Sequence, residues 1–154
     1  MNIIKTSLAG ATALAAVSLG GCATLEEGIA ETLAETYYST LTGANVVGGG
    51  DADGYARAEI SVTDEFDQVC WDINEVRGLG TVTAAHIHRG GAGMNGPPVF
   101  TLTKSNEGVW KGCRDGGEWT GDRIENNPQA FYVNIHTTEY PNGAIRGQLA
   151  NMGN

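Results

Sequence analysis

The stretch Thr83-Ala84-Ala85-His86-Ile87-His88-Arg89-Gly90-Gly91-Ala92-Gly93-Met94-Asn95-Gly96-Pro97-Pro98 starts with side chains alternating in character and then dissolves into glycine. Side chains two apart on a strand point the same way, so His86 and His88 share a face and Ile87 takes the other. The chain has only three histidines. The third, His136, ends Tyr132-Val133-Asn134-Ile135-His136, a second run with the period of a strand. Two of the three imidazoles therefore converge on one point, and the third has the means to join them.

Working outward, the chain reads as short strands separated by turn clusters, the pattern of an all-β fold. Strands are predicted near 36–47, 54–62, 67–73, 81–88, 98–103, 108–112, 130–137 and 143–149. Pro141-Asn142-Gly143 makes the last two a hairpin and brings Arg146 towards the His136 end of its partner. Asp51-Ala52-Asp53-Gly54 is too small a fragment of a calcium loop to define a calcium site. Gly91-Ala92-Gly93-Met94-Asn95-Gly96 fits a dinucleotide pattern only formally: prolines and a strand follow where phosphate binding needs a helix N-terminus, so no nucleotide is expected. No Gly-x-Ser-x-Gly or His-Glu-x-x-His occurs, and no catalytic residue is assigned.

Residues 1–21 read as a secretory signal: Lys5, a short alanine-rich apolar stretch, and a small-residue cleavage site too short for a membrane span. Leu19-Gly20-Gly21-Cys22 resembles the bacterial lipobox, which implies that Cys22 is lipidated and tethers the protein to a membrane of the cell envelope. Ala23 after it implies the outer membrane in a Gram-negative source. Residues 22–35 form a tether, with Leu25, Ile29 and Leu33 at helical spacing and a capping box in Thr24 and Glu27. With Cys22 spent on lipid, Cys70 and Cys113 remain as an even pair in an oxidising compartment, where a disulfide is expected. Removing the signal removes Lys5 and no acid, leaving a chain one unit more negative than the −9 of the full sequence. Nucleic acid is excluded as a partner by that charge. A protein partner is not identified. Trp71 and Trp110, near the paired cysteines, are expected in the core, and Trp119 on the surface.

Thr83 to Gly90, Asn95 to Phe100, Phe131 to Thr137 and Pro141 to Leu149, with Leu41-Thr42-Gly43-Ala44 ahead of them, resemble in that order the CHRD domain family, over a domain at 36–150. The resemblance implies an immunoglobulin-like antiparallel β-sandwich and a binding or structural module. Ala144 stands where the family often carries an acid. The His-x-His strand with a later strand histidine also resembles the copper ligands of copper/zinc superoxide dismutase, itself a β-sandwich. That likeness implies His86, His88 and His136 as ligands of copper first and zinc second, because imidazole suits both. Arg89 and Arg146 would then supply positive charge for an anion, and Asn95 and Asn134 hydrogen bonds. The further histidines that enzyme needs are missing from this chain. The opposing reading has the same histidines hydrogen-bonded to backbone carbonyls or to Asn95 and Asn134, holding the glycine-rich loop in place.

Overall fold

Eight antiparallel strands account for almost all regular structure in a computed structural model that describes residues 34–63, 67–116 and 120–152. They are β1 (Glu35–Thr42), β2 (Tyr55–Thr63), β3 (Gln68–Arg77), β4 (Val82–Arg89), β5 (Pro98–Leu102), β6 (Trp110–Asp115), β7 (Phe131–Thr137) and β8 (Ile145–Gln148). One helix, α1 (Thr120–Asn126), lies between β6 and β7. All eight expected strands are present. The first is shorter than expected, because the chain turns into a 3₁₀ segment at Gly43–Asn45. The expected signal peptide at 1–21, the lipid site at Cys22, most of the tether and Trp119 lie outside the described residues.

The strands form one sheet in the order β5-β4-β7-β8-β1-β2-β3-β6. Its two end strands curl towards each other. Arg114 of β6 donates to the Thr101 carbonyl of β5 at 3.1 Å and lays its guanidinium 4.5 Å from the Phe100 ring centroid. Trp71 of β3 packs edge-on against Phe100 and donates its indole N–H to the Thr103 carbonyl at 3.0 Å. The result is an all-β, nearly barrel-like fold, with alternate residues of each strand turned inward. Leu41, Ile60, Val62, Val69, Ile87, Val133, Ile135 and Ile145 are fully buried there.

Cross-strand register matches these inward residues to one another: Ala85 lies opposite Ile135, Ile87 opposite Val133, and Ile135 opposite Ile145. A slip of one residue would turn every such pair to solvent, so burial fixes the register. Gly147 is required where β8 meets β1, because a Cβ there would collide with the Ser39 side chain and the Thr40 carbonyl. Cys70 and Cys113 face each other across β3 and β6 and form the disulfide, tying the end strand to its neighbour. Trp71 is buried, and Trp110 packs at the margin of the core. Ile124 of α1 is also fully buried, and the helix rests on β2 and β3.

Candidate metal centre

Because Ala85 and Ile87 face the core, His86 and His88 stand on the outer face of β4. On β7 the same alternation buries Val133 and Ile135 and sends Tyr132, Asn134 and His136 to that outer face. Register places His88 opposite Tyr132, His86 opposite Asn134, and His136 opposite the small Ala84. The His136 ring can therefore lean diagonally towards His86, within the reach of long side chains across a ladder. Ring centroids are 5.1 Å apart for His86–His136, 5.6 Å for His86–His88 and 5.7 Å for His88–His136. One nitrogen from each ring lies within 4.8 Å of the others, and among the described residues this is the one group of three or more His, Cys, Asp or Glu side chains so arranged.

The far nitrogens decide what the near ones can do. His88 Nδ1 is 2.9 Å from the Gly96 carbonyl and His136 Nδ1 is 2.9 Å from the Pro141 carbonyl. A carbonyl only accepts, so each Nδ1 carries the hydrogen and each Nε2 keeps a lone pair in the neutral ring. Metal-binding histidines are held in this way, the second ring nitrogen donating to a backbone carbonyl or carboxylate. The His136 Nε2 has the Asn134 amide nitrogen 3.4 Å away. The His88 Nε2 is fully buried and has no partner, and neither do His86 Nδ1 and Asn134 Oδ1. Only four such buried atoms occur among the described residues, the other being Ser39 Oγ. Buried polar atoms are almost always paired, so their concentration in one spot points to a ligand.

Burial, followed by the charges of the other two rings, lowers the pKa of His86 below its ordinary value. Burial also lowers that of His88, against an opposing pull from its bond to Gly96. Both rings therefore favour the neutral form that ligation requires.

The wall of the site is a stack. His88 lies parallel to Tyr132 at 5.0 Å, and the Arg146 guanidinium lies 3.5 Å from the centroid of the same Tyr132 ring. Since β4 and β8 flank β7 on opposite sides, Tyr132 stands between His88 and Arg146. Arg146 is buried and donates to the carbonyls of Met94 at 2.9 Å and Gly91 at 2.8 Å. Gln148 donates to Gly90, and the Tyr132 hydroxyl accepts from the Gly96 amide. The loop Gly90–Pro97 is thus strapped over the outer face of the sheet. It turns tightly there: a Cβ on Gly96 would overlap the Arg89 carbonyl.

Arg146 accordingly faces the loop and Tyr132, and Arg89 and Asn95 are exposed. Asn134 does sit beside the histidines. Tyr132, Gly96, Pro141 and Gln148 were not picked out as site residues from the sequence. The alternation Tyr132-x-Asn134-x-His136 carries the signal for the first of these. The carbonyls of Gly96 and Pro141 have no side-chain signature. Asp51-Ala52-Asp53-Gly54 is a turn in which the Asp51 carboxylate accepts from the Asp53 amide at 3.2 Å.

An antiparallel all-β fold carrying a three-histidine cluster on its outer face defines the class of this domain. Residues 37–149 match the family model of the CHRD domain, and the chain belongs to that family. Membership marks the domain as a binding or structural module. Neither a curated protein nor a solved structure matches the chain.

Proposed function

We propose that this chain is an exported, lipid-anchored binding module whose CHRD domain holds one copper or zinc ion at His86, His88 and His136. The observation that carries the reading is the convergence of three imidazole nitrogens within 4.8 Å while His88 and His136 donate their other nitrogens to fixed carbonyls. The orphaned buried nitrogens of His86 and His88 support it. When bound, the ion supplies a Lewis-acidic or redox-active centre. The residues of the chain orient the rings, fix their protonation and cover one side of the site with the Gly90–Pro97 loop. The lipobox-like Leu19-Gly20-Gly21-Cys22 supports the anchor.

The test is calorimetric titration of untagged protein with copper and with zinc, alongside His136→Ala. The expected outcome is one equivalent bound by wild type and affinity at least tenfold weaker in the variant, since losing a ligand costs no less than losing a group that merely orients one, itself worth about 10–100-fold. A second reading rests on the same two carbonyl bonds: the histidines act as loop fasteners and bind no ion. It requires wild type to bind neither metal.

A further inference from the structure

The donors at this site set the charge of the ion as well as its position. An imidazole ligand brings no charge of its own to an ion, and no carboxylate or thiolate joins the three histidines among the described residues. The outer-face neighbours opposite or beside them, Ala84, Tyr132 and Asn134, are uncharged too. Arg146, against the other face of Tyr132, adds a cation to the wall of the site. A divalent ion would keep both its charges uncompensated by the protein, whereas a monovalent ion keeps one. The difference is magnified where the surroundings are dry, as at the fully buried Nε2 of His88.

Geometry acts in the same direction. His86 and His88 are fixed on one strand and His136 on the next, and two of the rings are locked from behind by Gly96 and Pro141. Divalent copper favours a tetragonal array of four in-plane donors, one more than the three histidines supply. A closed-shell ion has no such preference.

We infer that the site is built for monovalent copper, held three-coordinate by His86, His88 and His136 in preference to divalent copper or zinc. The inference rests on the metal-binding reading above. It is tested on the untagged chain by competing copper(I), supplied anaerobically, against bicinchoninate, and by separate chelator competitions for copper(II) and zinc(II). Copper(I) should bind at least ~100-fold more tightly than copper(II), raising the potential of the bound couple by ~120 mV over the free ion at 59 mV per tenfold. Zinc should also bind more weakly than copper(I).

Asn134→Asp places a carboxylate beside His136 and should reduce the copper(I) preference about tenfold or more, as expected for a charge partner in a low dielectric. Ala84→Asp, opposite His136 on the same face, makes the same change at a less buried position should the first variant not fold. Copper(II) or zinc(II) bound by wild type as tightly as copper(I) would overturn this inference and leave the metal-binding reading standing. A folded variant with an unchanged preference would overturn it as well. Failure of all three ions to bind would overturn both.

Discussion

Replacing Arg146 by methionine tests how far the site depends on the strap above it. The substitution removes the bonds to Met94 at 2.9 Å and Gly91 at 2.8 Å and the guanidinium packed on Tyr132. Hydrogen bonds from a charged group contribute ~1.5–3 kcal/mol each, and a desolvated cation–π contact ~2 kcal/mol. Against that gross loss, methionine avoids the several kcal/mol that burying a guanidinium costs. The two loop carbonyls, at the rim of the fold, can also turn to water. The balance is a net destabilisation of ~2–4 kcal/mol, or about 10 °C in melting temperature for a domain of this size. Since the loop carries the Gly96 carbonyl that orients His88, metal affinity should fall with it, by ~10–100-fold. Thermal melting by circular dichroism, with hydrogen exchange at the amides of Gly90 to Gly96, measures both parts. A melting temperature within about 2 °C of wild type, a change worth well under 1 kcal/mol, together with unaltered exchange would refute the strap.

Converting Cys70 and Cys113 to serine should cost up to ~4 kcal/mol by the chain-entropy estimate for a loop of this length, given the sequence separation of 43; urea denaturation reads the change. Burial, the leading cause of the lowered pKa values of His86 and His88, makes the unfolded chain take up more protons than the fold. Metal-free stability should therefore be full above about pH 6.5 and decline as pH falls from there through the depressed folded values. The slope should not exceed ~1.4 kcal/mol per pH unit for His88 and should be shallower for the more exposed His86, and denaturation midpoints across pH 4–8, the range where histidine titrates, would show a flat line if the rings were not buried neutral. Cys22→Ser should abolish incorporation of radioactive palmitate while leaving the melting temperature of the domain unchanged, and continued labelling would remove the anchor.

Strand positions were legible because alternation is dictated by a two-sided sheet, and the core-facing rows Val133, Ile135 and Ala85, Ile87 follow it, although Tyr132 and Asn134 are buried on the outer face as well. The same rule put His86 and His88 on one face. Sequence could not show the strand order, in which β4 and β7 become neighbours though more than forty residues separate them. That pairing is what delivers His136. Helix α1 was hidden in the polar stretch Asp115 to Asn127, because Ile124 is the one apolar residue in the sequence of Thr120–Asn126 and one apolar position sets no period. Arg146 read as a free cation because a charge in sequence carries no record of its acceptors. Two of its acceptors are backbone carbonyls more than fifty residues away, and a third is the Gln148 side-chain oxygen at 3.3 Å.

X-ray absorption at the zinc edge of the zinc-loaded protein tests the central claim most directly. Three imidazole nitrogens at about 2.0–2.1 Å, with the outer-shell scattering characteristic of imidazole rings, are expected in wild type. His88→Ala should remove one of them. A first shell of oxygen donors without imidazole scattering, or a spectrum unchanged by His88→Ala, would contradict the assignment of His86, His88 and His136 as the metal centre.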